Sequence, residues 1–328
     1  MLTNVFITID TEHSIGGALK GQGLLPLGNE KRIYGKIKNK FYGIPLMMDI
    51  ADNYGLKLVF FLEVFNYHYF GKSETREVCE YILKRNHEVQ LHIHPVYLNF
   101  TLPDPSEKNF SDFIGSYSLS TQVEFLEKGR DLLKEYGAPT PHAFRAGNFG
   151  ANLDTLKALS KAGFKIDTSY NPSYIGDCCF LPEITDNDVK LWHGIYEYPI
   201  TGFQEISYIR SRRKMALDIN GVNFSEIRWM LLNAFSIGLH NVTIIVHSFN
   251  FIKSNDIQYR KMTPRNMVIR RFEQLCSFLA MYSKFFLVKT FNDASYNIDR
   301  QSTHAPLLPE MPSLLSIRRL CEQAFDRV

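Results

Sequence analysis

The chain is poor in the residues that staple or anchor a protein. Its 328 residues hold five cysteines, an odd count, with Cys178 and Cys179 adjacent and no Cys-x-x-Cys pair. That suggests neither a disulfide framework nor a cysteine zinc site, and a reducing compartment fits best. No apolar run approaches the roughly 20 residues a membrane helix needs. The opening MLTNVFITIDTE has neither the basic nor the long apolar region of a secretory signal. It reads as a first strand, and the expected location is cytoplasmic. Charge of one sign is also scarce, with 37 basic against 34 acidic residues and a net of +3. So small a surplus gives no reason to expect nucleic acid as a partner. The one basic cluster, Arg210, Arg212, Arg213 and Lys214, reads as a solvated loop, with a phosphate-bearing substrate as the functional alternative.

What is present is an alternation of strand and helix. Asn4–Ile9 reads as a strand. Tyr42–Tyr54 reads as a helix, with Ile44, Met47, Met48 and Ala51 on one face and Gly55 as its stop. The pattern then repeats: strand Leu56–Leu62, helix Ser73–Arg85, strand Glu88–His92, helix Ser120–Tyr136, strand Ala143–Arg145, helix Asn152–Ala162, strand Phe164–Asp167. Tyr196–Pro199, Val242–His247 and Phe286–Thr290 complete the strands. Thr263-Pro264 reads as an N-cap with proline at the first helical position, opening a helix that carries Val268, Phe272, Leu275, Leu279 and Tyr282. Alternation implies parallel strands with right-handed crossovers, so the fold class is α/β, a deformed (β/α) barrel of about seven parallel strands. The expected domains are a barrel over 1–291 and an extension over 292–328. The extension holds a polar linker and an amphipathic helix, Ser313–Arg327, with Leu314, Ile317, Cys321 and Phe325 on the side expected to pack back onto the barrel.

Polar residues collect where strands end. Asp10 and Glu12 follow the first strand, His92 and His94 the third, Arg145 ends the fourth, Asp167 the fifth and His247 the seventh. In a parallel barrel these ends share one face, so side chains distant in sequence converge. Residues two apart on an extended segment point the same way, and His92 and His94 can therefore address one metal. Imidazole with carboxylate is a common zinc set that leaves a position open.

Over roughly Val5 to Phe291 the chain resembles the polysaccharide deacetylase (NodB-homology) family. HEVQLHIHP resembles its metal-histidine motif, FRAGNFGAN its arginine motif, GFKIDTSYNP its aspartate motif and IIVHSFN its final histidine motif. The segment GIPLMMDIADNYGLKLVFFLEV resembles its first helix and second strand, and YEYPIT a late strand. The resemblance implies one divalent metal, most readily Zn2+, held by Glu12, His92 and His94. It implies Asp10 as general base, Arg145 as its orienting partner, His247 as general acid and Asp167 as the carboxylate beside that histidine. Two spacings depart from the family. Its adjacent aspartates are here separated by Thr11, with Glu12 second, and its histidines, usually four apart, are two apart. Asp10 therefore remains an alternative metal ligand. His13 is expected to face solvent.

The resemblance also implies the chemistry: hydrolysis of an N-acyl bond, acetyl by preference, on an amino sugar of surface-polysaccharide (O-antigen or capsule) assembly. The expected partner is a carbohydrate, nucleotide- or lipid-diphosphate-linked, with peripheral membrane contact as an option for the terminal helix. Rival readings are an amidohydrolase acting on a small cyclic imide or ureide, and a non-catalytic carbohydrate-binding protein. Tyr97, Phe100, Tyr170, Tyr174 and Trp192 are candidates for sugar stacking, with loop packing as the plainer role.

Overall fold

The structure, a computed structural model, describes residues 2–20, 23–205, 213–294 and 307–327. In chain order the strands are β1 (Thr3–Thr11), β2 (Lys36–Ile37), β3 (Lys40–Phe41), β4 (Val59–Glu63), β5 (Glu88–Ile93), β6 (Ala143–Ala146), β7 (Ile166–Asp167), β8 (Lys190–Trp192), β9 (Ile195–Glu197), β10 (Gly202–Glu205), β11 (Arg213–Ala216), β12 (Asn241–His247), β13 (Ile252–Ser254), β14 (Met262–Pro264), β15 (Phe286–Val288) and β16 (Glu310–Met311). The helices are α1 (Ile44–Asn53), α2 (Tyr67–Phe70), α3 (Lys72–Lys84), α4 (Leu119–Glu135), α5 (Leu153–Lys161), α6 (Phe224–Ser236), α7 (Asn266–Met281) and α8 (Ser313–Arg327).

The large sheet runs β12-β1-β4-β5-β6-β7-β9-β8, with β15 sharing an edge of β1. Every pairing from β12 to β9 is parallel, and only β8 runs against its neighbour. This is the expected deformed (β/α) barrel. Strands buried on both faces read as continuous apolar runs, and Val59–Glu63 and Val242–Val246 are buried throughout. The gap between β9 and β12 is closed by irregular chain. Thr201 donates its amide to Thr243, Leu217 donates to Thr201, Ile245 donates to Leu217, and Ile219 donates to Ile245 along the same seam. That closure also presses Asp218 against β12, in a bridge with Ile245.

Two expectations are corrected here. Thr263 and Pro264 lie in β14, paired antiparallel with β13, and α7 begins at Asn266 with no side-chain cap on Arg265. Proline suits that strand end because it has no ladder N–H to lose there. The terminal helix is turned the other way. Leu314, Ile317 and Leu320 are 76%, 55% and 58% exposed, whereas Arg319 is 3% exposed. The inward face is mostly polar, with Leu315 alone of its leucines against the core: Arg319 pairs with Glu205 and Glu226, and Glu322 with Arg271. Glu205 belongs to β10, which also pairs with β16, so the extension is tied to the barrel by ion pairs and a strand rather than by its apolar stripe. The side chain of Phe325 lies outside the described residues, as do Arg210, Arg212 and His304. Of the basic cluster, Arg213 is exposed and Lys214 pairs with Glu183. No helix among the described residues is long and apolar enough to cross a membrane.

Removing Arg319 leaves two carboxylates without their cation, one of them, Glu226, fully buried. Arg319→Ala is expected to lower stability by about 3–5 kcal/mol, the usual cost of breaking a buried pair from one side. Denaturant unfolding of the two proteins measures it. An unchanged midpoint and slope would show that α8 does not brace the fold.

Candidate metal and catalytic site

The barrel's C-terminal mouth collects most of the residues singled out in the sequence. Asp10 and His247 are direct neighbours in the β1–β12 register, with Asp10 Oδ2 lying 3.8 Å from His247 Nε2. Arg145, fully buried on β6, donates from Nη1 to Asp10 Oδ1 at 2.5 Å. Its Nη2 donates to Thr8 and Thr168 at 2.9 and 3.1 Å, its Nε donates to the Thr168 carbonyl at 3.0 Å, and its face lies over the Phe61 ring. Every guanidinium nitrogen is therefore in use, which fixes one oxygen of Asp10 and leaves the other facing His247.

The second cluster is Glu12, His92 and His94, whose ligating atoms lie within 4.8 Å of one another. His92 Nδ1 donates to the Arg145 carbonyl at 2.8 Å, which turns Nε2 toward Glu12 Oε2, 3.4 Å away. His94 Nδ1 faces both oxygens of Asp112 at 3.0 Å, and its Nε2 lies 2.8 Å from Glu12 Oε2. With Nδ1–H given to Asp112, an imidazole lone pair would meet a carboxylate oxygen. That approach is attractive only with a cation between them, a proton or a metal ion. Protonation equilibria point the same way. Burial pushes the His94 pKa down, but Asp112 and Glu12 outweigh it and hold the ring well above its ordinary value. Burial pushes Glu12 up, but His94 and the bonds from both histidines outweigh it and hold the carboxyl well below the usual range. A divalent ion meets the same demand, and the two-nitrogen, one-oxygen donor set suits zinc.

Local sequence explains the placement. Glu63, buried at the end of β4, accepts from the amides of Phe65 and Asn66 at 2.6 and 2.8 Å and sets the chain beneath His94. Gly147 stands two residues after Arg145, where a Cβ would sit 2.7 Å from His94 Nδ1. Asp112 is held by Asn148 of the same FRAGNFG segment. Sequence reading missed Asp112, which lies in a loop with no periodic signal.

Two expected roles are corrected. His13 is buried, not solvent-facing: its Nε2 donates to Asn29 at 2.8 Å and its Nδ1 accepts from Asn66 at 2.5 Å. Asp167 is not placed beside His247. It bonds Ser169 at 2.6 Å and lies against Glu197, its partner in the β7–β9 register. Burial, then the neighbouring Asp167, holds Glu197 well above its ordinary pKa. The carboxylate facing His247 is Asp10; Asp218, bridged to Ile245 on β12, is held above its ordinary pKa by burial, against the pull of His247. Of the aromatic candidates, Tyr97 and Tyr170 are buried, while exposed Tyr174 stacks on Phe149.

The chain matches no known protein-family model, and no curated protein matches its sequence. Solved structures do match. One from Mycobacterium smegmatis, named as a polysaccharide deacetylase, shares 16% identity over 89% of this chain and 95% of its own, with a TM-score of 0.50. A family 4 carbohydrate esterase from Streptomyces lividans, in complex with acetate, shares 10% identity over 88% and 92%, with a TM-score of 0.44. A 4-alpha-glucanotransferase from Thermococcus litoralis shares 10% identity over 95% of this chain and 42% of its own, with a TM-score of 0.49. At such identities the likeness is one of fold, and the first places this chain in the barrel fold of a polysaccharide deacetylase.

Asp112 anchors His94, and such outer partners typically contribute 10–100-fold to metal affinity. Asp112→Ala is thus expected to weaken zinc binding by about that factor while the protein still folds. Competition with a chelator measures it, and an unchanged affinity would mean that Asp112 does not position His94.

Proposed function

We propose that this chain is a metal-dependent hydrolase that removes an N-acyl group, acetyl by preference, from an amino sugar during surface-polysaccharide (O-antigen or capsule) assembly. One observation carries the reading. A two-histidine, one-carboxylate cluster sits at the same barrel mouth as an arginine-clamped aspartate facing a histidine. A binding module has no use for both. The barrel, residues 1–291, would carry the activity, and 292–328 would brace it.

When bound by Glu12, His92 and His94, a divalent metal supplies Lewis acidity at the acyl carbonyl. The chain's own groups do the rest. Asp10 takes the proton of the attacking water. Arg145 clamps one oxygen of that carboxylate and so fixes which oxygen is free. His247 donates a proton to the departing amine, which is too basic to leave unaided.

Asp10→Asn is expected to keep the metal and lose about 10²–10⁴-fold in deacetylation rate, the range for a lost general base. His92→Ala is expected to lose most of the metal. Elemental analysis and acetate release on both variants decide the matter. Equal metal content in wild type and His92→Ala would sink the ligand assignment. An empty site in Asp10→Asn with a filled one in Glu12→Gln would exchange the two carboxylate roles.

Leaving-group dependence tests the acid. His247→Ala is expected to slow acetate release from an acetamido sugar far more than from an activated aryl ester, whose leaving group needs little protonation. Equal losses on both substrates at matched metal content would mean that His247 is not the acid.

A further inference from the structure

The cavity beside the metal-ligand cluster has a charge pattern that hydrolysis of a neutral acetamido sugar does not require. It encloses about 390 Å³, and Lys20, Arg32 and Lys108 line it against two carboxylates, Glu12 and Asp112. Both carboxylates are already engaged. Glu12 faces the two histidines and Arg32, and Asp112 serves His94 and Asn148. No carboxylate among the described residues is paired with Lys20 or Lys108, and both side chains are exposed at the rim.

Arg32 is built into the wall. Its guanidinium lies 3.3 Å over the Phe249 ring, Nη1 donates to the Tyr259 hydroxyl at 2.7 Å, and Nη2 reaches Glu12 at 3.4 Å. The segment that carries it is pinned from beneath, where Asn29 bonds His13 and Glu74. Although Arg32 is 7% exposed, its Nε has no acceptor, and neither does the buried Tyr97 hydroxyl on the same wall. Buried donors without an acceptor carry a desolvation cost that an incoming oxygen ligand removes. A guanidinium fixed by stacking, with two lysines at the rim, suits an anion better than sugar hydroxyls.

Resting on the hydrolase reading, we propose that the sugar substrate carries a fixed negative charge, a carboxylate or a phosphate, close to its N-acyl group, and that Arg32, Lys20 and Lys108 hold it. The 3.4 Å between Arg32 and Glu12 places that charge within one sugar ring of the bond to be cut.

Calorimetric binding to the zinc-loaded protein tests the proposal with three probes. These are a disaccharide of glucuronate and N-acetylglucosamine, N-acetylglucosamine 1-phosphate, and neutral di-N-acetylchitobiose. At low salt at least one acidic probe should bind about tenfold or more tighter than the neutral one, and rising salt should shrink the advantage. A Lys20→Ala/Lys108→Ala double variant that melts like wild type should lose most of that ratio. Preference for the glucuronate probe alone identifies a uronic acid, and preference for the phosphate alone a phosphorylated or carrier-linked sugar. Equal affinity for acidic and neutral probes overturns the proposal, as does a double variant that keeps the preference. Acetate release from the same compounds is scored separately. Acidic preference without release would sink the hydrolase reading and leave this inference standing, and release without preference would do the reverse.

Discussion

The site depends on one buried cation. Arg145 is fully buried, and an unpaired guanidinium there would cost several kcal/mol, at least, in lost hydration. The chain meets that cost by spending polar groups from several strands on it: Asp10 and Thr8 from β1, Thr168 just past β7, and the Phe61 ring from β4. Its backbone carbonyl in turn receives His92 from β5. One residue thus fixes the free oxygen of the proposed base and the ring orientation of a proposed metal ligand. Little of that arrangement can be moved without exposing a charge to an apolar core.

The order of strands and helices was legible because buried parallel strands and amphipathic helices leave periodic apolar traces. Gly55, Gly137 and Gly163, each at positive φ, marked helix ends as expected. What was not legible lacks such a trace. The barrel is closed between β9 and β12 by irregular chain around Thr201 and Leu217, and only that closure brings Asp218 against Ile245 on β12. Helix α6, which buries Ile227, Met230 and Leu231 behind an Asn223 capping box, went unread beside it. Asp112 lies in a loop, and its partnership with His94 spans chain that carries no pattern. Asp167 was misassigned because a strand-end position says which face a residue reaches, not which neighbour it meets.

The terminal helix shows a different limit. Most of its apolar residues, Leu315 excepted, fall on one side, and burial of that side is the ordinary outcome. Here the ion pairs of Arg319 and Glu322 hold the opposite side inward. Hydrophobic periodicity reports that a helix has two faces, and it cannot weigh an apolar stripe against partners contributed by β10, α6 and α7.

The two departures from the family's spacing become intelligible together. Asp10 and Glu12 are two residues apart, and so are His92 and His94. On extended chain such pairs share a face. β1 and β5 are parallel and are separated only by β4. Each strand therefore delivers two polar groups to one mouth: β1 the base and one ligand, β5 two ligands. Adjacent carboxylates on an extended β1 would point to opposite faces, and histidines four apart would need the chain beyond β5 to coil back as a helix. That chain does coil, as a 3-10 helix from Pro95 directly after His94, but Val96 stands four residues after His92, where a second histidine would fall. The second histidine must then come from the strand end itself, and a glutamate, longer by one methylene, can reach it from the far side of β4. The changed spacings are thus one geometric solution, in which both pairs shift to the period of a strand.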